Sequence, residues 1–285
     1  MATLSIQSLF YKFTNASQAL YFFYLISGYI ILNFDSYNIL EQYCDTSYSR
    51  ILCAILFISC ILSFCTCSLS DPGKINSDSL DIHLKLYSYD NVIFKEKCNC
   101  TTCNMLKPPR SKHCKYCSSC ISRYDHHCYI FNNCIGGYNI IYFLIFIIMH
   151  LLICSYALYI ASFCLYSVIK HNNILKATFI HSENNMIMPN SWFTIMKYLF
   201  SKHNPTFSLC VISIILMFCL VLLLVYEIYY NIILNITYNE QTKYNKLKRK
   251  GFYVNKSFYN KGFIKNLKGV LFFQKNVENF LKKDI

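Results

Sequence analysis

Residues 100–134 read CTTCNMLKPPRSKHCKYCSSCISRYDHHCYIFNNC, which is seven cysteines and three histidines in 35 residues. The spacing is Cys100-x2-Cys103, then nine residues to His113-Cys114-x2-Cys117-x2-Cys120, then Asp125-His126-His127-Cys128 and, five residues on, Cys134. Intervals of this kind suit metal ligation, and tetrahedral zinc sites of three thiolates and one imidazole take four ligands each. Two such sites use six cysteines and two histidines. One cysteine and one histidine remain, in a stretch that also holds an aspartate, and a thiol beside an imidazole is the set needed to activate a sulfur nucleophile. The stretch has few large apolar side chains, so it cannot bury a core of its own. Metal has to supply that folding energy.

The sequence around it is of another kind. The chain has 285 residues, 55% of them hydrophobic, and a positive mean hydropathy, which excludes an ordinary soluble domain. Four segments, at about 19–34, 51–69, 140–168 and 209–236, are apolar enough for bilayer-crossing helices, which need roughly 20 residues. The cysteine-rich stretch lies between the second and third. The N-terminus lacks the basic region and cleavage site of a signal peptide, so the first segment is expected to stay as an anchor. Asp71-Pro72-Gly73 stops the second segment, and residues 74–99 are consistent with short strands or loop.

Basic residues stay preferentially on the cytosolic side of a membrane. One precedes the first segment, nine lie between the second and third, and twelve follow the fourth, whereas the other two connections carry one and four. That bias of 22 to 5 places both termini and the cysteine-rich loop in the cytosol. A net charge of +13 distributed around membrane segments suits anionic headgroups and does not suggest a nucleic-acid partner. Of seventeen cysteines, eight lie between Cys98 and Cys134 at zinc-like spacing, and most others fall within apolar segments. This is a thiol pattern, not a disulfide framework. His150 in the third segment reads as a neutral packed histidine, and Glu227 at the end of the fourth as an ordinary boundary residue.

Beyond these ligand-like positions, the sequence carries Lys107-Pro108-x-Arg110, then Asn133-Cys134-Ile135-Gly136, then Asn139-x3-Phe143. With Asp125-His126-His127-Cys128 they resemble the cysteine-rich domain of the DHHC-type protein S-acyltransferases (palmitoyltransferases), from Cys100 to Phe143. Two shorter elements extend the resemblance: Thr237-Tyr238-Asn239-Glu240, similar to the family's Thr-Thr-x-Glu, and Tyr259-x2-Gly262-x3-Asn266. Two departures stand out. Ile130 occupies the place of the usual tryptophan, and Tyr238 replaces the second threonine, whose side chain in the family helps anchor the catalytic loop.

The resemblance implies an all-α integral membrane protein of four transmembrane helices, with a cytosolic zinc-bound domain between the second and third. It divides the chain into 1–69, the cysteine-rich 70–139, the third and fourth helices with a lumenal loop at 140–236, and a basic tail at 237–285. It also implies two interleaved structural zinc ions, one on Cys100, Cys103, His113 and Cys120, the other on Cys114, Cys117, His127 and Cys134. Spacing alone equally allows Cys100 and Cys103 to pair with Cys114 and Cys117. The implied chemistry falls to Cys128, with His126 as base and Asp125 orienting the imidazole. The acyl group would come from palmitoyl-CoA or another fatty acyl-CoA and pass to cysteines of membrane-associated proteins, on an endomembrane such as the Golgi or endoplasmic reticulum. Lys107, Arg110, Lys112 and Arg123 are candidates for the CoA phosphates, against the plainer reading of a solvated basic surface. Two other readings compete: a zinc-held scaffold that recruits proteins to membranes, and a transporter, which the lack of paired intramembrane charges disfavours.

The orientation is testable by glycosylation. The Asn-x-Ser/Thr acceptors, Asn15, Asn99, Asn235 and Asn255, all lie on the expected cytosolic side, and Asn204 is blocked by Pro205. The protein expressed in eukaryotic cells should carry no N-glycan, while a sequon placed near Asn185 should acquire one. Glycosidase-sensitive mass on the native chain would invert the topology.

Overall fold

The computed structural model describes residues 16–180, 186–252 and 258–281. The readings at Lys12, Asn15, Asn185, Asn255, Lys256, Lys282 and Lys283 lie outside them. Four helices are long and apolar enough to cross a membrane: Ala16–Leu40, Ser47–Leu69, Ile140–His171 and Asn204–Ile233. In chain order, α1 (Ala16–Ile31) continues through a π-helical turn (Leu32–Ser36) into α2 (Tyr37–Leu40), and α3 is Ser47–Leu69. Then come β1 (Lys74–Ile75), α4 (Leu80–Leu86), the short strands β2 to β7, and α5 (Ile140–His171). After β8 (Phe179–Ile180) and β9 (Ile187–Met188) follow α6 (Trp192–Lys202), α7 (Asn204–Glu227), a π-helical stretch (Ile228–Ile233) and α8 (Tyr238–Arg249). Two amphipathic helices close the described chain, α9 (Phe263–Leu271) and α10 (Phe273–Leu281). The fourth long helix starts at Asn204, five residues before the apolar run, because Pro205 fits a first turn, where its missing N–H removes no bond.

The chain divides into two compact units, and each of the four long helices contributes residues to both. One unit takes residues 20–61 and 148–222. Its core is Leu32, Tyr37, Leu40, Cys53, Ala157, Ile160, Cys164 and Leu209. A second cluster joins Leu165 and Val168 of α5 to Ile195 and Leu199 of α6. Polar groups in these helices find partners, as an apolar surrounding demands. Tyr21 Oη lies 2.9 Å from His150 Nε2, and Tyr37 Oη donates to the Ser49 carbonyl at 2.9 Å. Thr206 donates its backbone N–H to Asp35 at 3.2 Å. Large apolar residues such as Phe23, Ile215 and Phe218 are exposed, as befits a lipid-facing surface.

The other unit combines residues 62–147 with 223–285, together with the start of α1. Asp71 ends α3 in a side-chain turn, its Oδ1 accepting the N–H groups of Gly73 and Lys74 at 3.0 Å. The strands that follow have only two or three residues each. β1, β5 (Ser119–Ile121) and β4 (Lys112–Cys114) form one antiparallel sheet, with His113 opposite Cys120. β2 (Asn99–Cys100) pairs β3 (Met105–Leu106), and β6 (His126–Cys128) pairs β7 (Asn133–Ile135), placing His127 opposite Cys134 and Cys128 opposite Asn133. Strands this short are not stable by themselves. Glycine at 136 is explained by close approach, since a Cβ there would collide with the Pro72 carbonyl oxygen. Helix α4 was not anticipated. The alternation Leu84-Lys85-Leu86-Tyr87 suggests a strand, but burial of His83 at 1% exposure, three residues after half-buried Leu80, follows a helical face.

Candidate active site

The hairpins bring the eight zinc-like positions into two groups: Cys100, Cys103, His113 and Cys120, and Cys114, Cys117, His127 and Cys134. The sequential pairing that spacing also allowed does not occur. Within each group every ligand atom lies within 4.8 Å of the others. Both imidazoles present Nδ1 to the sulfurs. His113 Nδ1 is 3.3 Å from Cys103 Sγ and 3.9 Å from Cys120 Sγ. His127 Nδ1 is 3.7, 3.5 and 3.6 Å from Cys114, Cys117 and Cys134. Tetrahedral zinc with ordinary bond lengths would set such edges at about 3.5–3.8 Å. The donor sets fit a metal ion of that size and softness, and a four-ligand site leaves no open position for substrate.

Alternation along β6 separates metal-type from reactive side chains. Successive residues of a strand point to opposite faces, so His127 meets the cysteine cluster while His126 and Cys128 share the other side. His126 Nδ1 lies 2.8 Å from Asp125 Oδ2, and Cys128 is near enough to the ring to act on its protonation. Asp125 is 2% exposed. Its Oδ1 accepts the Tyr238 backbone N–H at 2.8 Å and the Asn231 side-chain N–H at 3.5 Å. Burial works to raise the Asp125 pKa, but the His126 bond and charge, the Tyr238 N–H and Arg123 hold it below the ordinary carboxylate range. Burial alone would lower the His126 pKa. The bond to Asp125 and the nearby Asp125 and Cys128 charges outweigh that and push it up to about 10. The arrangement therefore favours an imidazolium next to the thiol sulfur. Phe143 stands edge-on to the His126 ring with centroids 5.5 Å apart, next to the aromatic cluster of Phe64, Phe131 and Phe146.

The anchor expected from a threonine side chain at 238 is made by the backbone. Tyr238 is the first residue of α8, and the N–H group that reaches Asp125 belongs to that helix terminus, where a carboxylate is electrostatically favoured. Thr237 caps the helix, and Glu240 bonds back to the Thr237 N–H in a full capping box.

Two of the four basic residues assigned to a solvated or CoA-binding surface are buried instead. Arg110 and Arg123 are 0% and 2% exposed. Arg110 forms a two-pronged pair with Glu240, Nε to Oε1 at 2.7 Å and Nη2 to Oε2 at 2.8 Å. It also donates to the Asn235 carbonyl at 2.8 Å and lies between the rings of Tyr87 and Tyr259. Arg123 donates to Asn231 and to Asn235 at 3.3 Å. Asn266 completes the network, donating to the Ile233 carbonyl at 3.2 Å. The sequence held the Glu240 and Asn266 elements but not their partner, which is 130 residues away for Glu240. Glu227 is also not a boundary residue. It is 3% exposed and accepts from Asn231. Lys107, Lys112 and Lys243, with Phe94 and Cys98, line a cleft of about 420 Å³.

A helical chain with four membrane-length helices and two Cys3His groups that could hold metal ions defines a class of membrane protein. Comparison with known proteins names the family. The model described as DHHC palmitoyltransferase matches residues 93–245, more than half of the chain, and the chain belongs to that family. The palmitoyltransferase ZDHHC4 of Rattus norvegicus is 42% identical over 94 residues, covering 33% of this chain and 27% of its own. That of Bos taurus is 36% identical over 116 residues, covering 41% and 34%. The palmitoyltransferase SWF1 of Yarrowia lipolytica is 36% identical over 101 residues, covering 35% and 26%. The matched stretches thus span about a quarter to a third of these relatives.

The Arg110–Glu240 pair yields a stability test. Arg110→Met leaves a carboxylate buried and unpaired, which typically costs about 3–5 kcal/mol. Thermal unfolding in detergent should show a clear loss, and a melting curve unchanged from the native protein would remove the pair from its structural role.

Proposed function

We propose that the protein is a protein-cysteine S-acyltransferase that moves a palmitoyl or similar fatty acyl group from acyl-CoA to cysteine thiols of membrane-associated proteins. The observation that carries this reading is the Asp125–His126–Cys128 line, in which Asp125 and His126 meet at 2.8 Å on a hairpin whose other face carries His127 and Cys134. A closed thiolate–imidazole site supplies structure when zinc is bound. It holds the reactive hairpin, and Cys100, Cys103, His113, Cys120, Cys114, Cys117, His127 and Cys134 are its proposed ligands.

His126 takes the thiol proton of Cys128. The sulfur attacks the acyl carbonyl of the CoA thioester, the carbon–sulfur bond to CoA breaks, and the proton passes from the imidazolium to the departing CoA thiolate. In the second half His126 takes a proton from the substrate cysteine, whose sulfur displaces Cys128, and returns it to the Cys128 thiolate. One thioester is exchanged for another in each half, so the energies nearly balance. Asp125 keeps the imidazole turned toward Cys128 and stabilises its cationic form. Lysines of the 420 Å³ cleft supply charge for the CoA phosphates. The aromatic groups around Phe131 and Phe143 suit an apolar tail. Acyl-CoA is cytosolic, which agrees with the orientation expected from the lysine and arginine bias and with an endomembrane location such as the Golgi or endoplasmic reticulum.

Purified protein incubated with clickable palmitoyl-CoA should label covalently, and the label should be released by hydroxylamine. Cys128→Ser should abolish labelling without loss of zinc. His126→Ala should slow it by roughly 10²–10⁴, the usual contribution of a general base. Label retained by Cys128→Ser would move the nucleophile elsewhere, and no label on the native protein would favour the scaffold.

Metal analysis of the same preparation should give two zinc ions per chain. Replacing a ligand such as Cys100 or Cys134 should lower that number and destabilise the loop. A single zinc would refute the two-site assignment.

A further inference from the structure

The polar contacts of Asp125 do not end at His126 and Tyr238. Its Oδ1 also accepts from Asn231 Nδ2 at 3.5 Å, and the same amide nitrogen donates to Glu227 Oε2 at 2.7 Å. Asn231 and Glu227 are 1% and 3% exposed. Both belong to the last turns of the fourth long helix, where burying an ionisable residue such as Glu227 is costly and marks a candidate functional position. Arg123 fixes the other end of the amide, donating to Asn231 Oδ1 at 3.3 Å. With Oδ1 turned to a cation and Nδ2 to a carboxylate, the amide has one sensible orientation.

Local backbone geometry supports the same arrangement. Residues Ile228–Ile233 form a π-helical stretch, in which Leu234 N–H donates to the Tyr229 carbonyl at 3.0 Å, five residues back. Such bulges rotate the side chains that follow and recur at functional sites. Asn231 lies inside it.

We propose that Glu227 is a positioning residue of the acyltransferase, holding the Asn231 amide with its N–H toward Asp125 and so keeping the Asp125–His126 pair aimed at Cys128. The proposal rests on the acyltransferase reading. A Leu at 227 removes the closer acceptor of the Asn231 amide, leaves that amide held through Arg123 alone, and loosens its 3.5 Å contact with Asp125. A Gln keeps an acceptor at the same reach and preserves the orientation without the charge.

The experiment uses the full zinc-loaded chain in detergent and measures single-turnover acylation of Cys128 by clickable palmitoyl-CoA across donor concentrations. Glu227→Leu should lower the limiting rate roughly ten- to hundredfold, the scale seen when a group that orients a reactive residue is removed. Half-saturation by palmitoyl-CoA, zinc content and unfolding temperature should stay as in the native protein. Glu227→Gln should return most of the rate, because it keeps an acceptor for the Asn231 amide. Asn231→Ala should be slow to the same degree as Glu227→Leu, and combining them should add no further loss, because both act through one contact. Native rates in Glu227→Leu, failure of Gln to restore the rate, or losses that multiply in the double variant would each overturn the proposal. If Glu227→Leu does not hold its zinc, Asn231→Ala decides, and a native rate in that variant overturns it. None of these outcomes touches the assignment of Cys128, which Cys128→Ser tests separately.

Discussion

The paired charges of Arg110 and Glu240 set the geometry on which the site depends. Glu240 uses one oxygen for Arg110 Nε and the other for both Arg110 Nη2 and the Thr237 N–H. A single carboxylate thereby fixes the loop before the first histidine–cysteine pair against the start of α8. The N–H of Tyr238, the next residue, reaches Asp125. Shift the guanidinium and the helix terminus moves with it, and Asp125 loses its strongest backbone partner. Buried ion pairs are poor sources of net stability compared with apolar packing. Their geometry is rigid, however, and a two-pronged guanidinium–carboxylate pair is directional in a way that apolar contact is not. Tyr87 and Tyr259, at 4.9 and 4.5 Å from the guanidinium carbon, close the cation between two rings.

The second constraint is the alternation of side chains in a three-residue strand. In His126–Cys128 the middle residue belongs to a cluster of sulfurs and the outer two face away from it. A slip of one residue against Asn133–Ile135 would exchange the two faces, placing His126 among the thiols and His127 beside Asp125. With so few ladder bonds, pairing alone does not hold that register. The chemistry of the donor set does, because His127 with Cys114, Cys117 and Cys134 makes a group suited to one metal ion. Metal binding and the aim of the reactive thiol are thus one structural problem.

The parts visible in the sequence were those whose partners lie close along the chain. Metal-type ligands need short fixed intervals, and an apolar helix is a continuous run, so the eight ligand-type positions and the four long helices could be read directly, while their interleaved grouping came from the resemblance. The ends of those helices were read less well: Pro205 belongs to the fourth helix, not to the loop before it. Thr237 and Glu240, three residues apart, were read only as part of a family element, and the structure shows that they form a capping box. Arg110 and Arg123 were misread because their partners lie more than a hundred residues along the chain, while Glu227 is buried although its partner Asn231 is only four residues on. A basic residue in a polar loop gives no local sign that it will be buried, and only the partner, Glu240 or Asn231, makes the burial tolerable. Helix α4 failed for another reason: its leucine–lysine alternation imitates a strand, and its packing against α10 is a tertiary effect.

The two departures from the family pattern fall where the site does not depend on them. The contact made at 238 is a backbone N–H, which any residue but proline supplies, so tyrosine in place of threonine keeps the bond to Asp125. Its ring is half exposed and stands edge-on to His126 with centroids 6.5 Å apart, adding an aromatic wall without displacing the imidazole. Ile130 lies beyond the strand, 41% exposed, in the turn that joins Cys128 to Asn133. The aromatic surface beside it is built from other residues: Tyr116 packs on His127 with centroids 4.8 Å apart, and Tyr129 meets both rings at 5.3 Å. Both departures therefore leave the Asp125–His126 contact intact. Asp125 stays buried and held between the terminus of α8 and the His126 ring, on the strand that also carries Cys128.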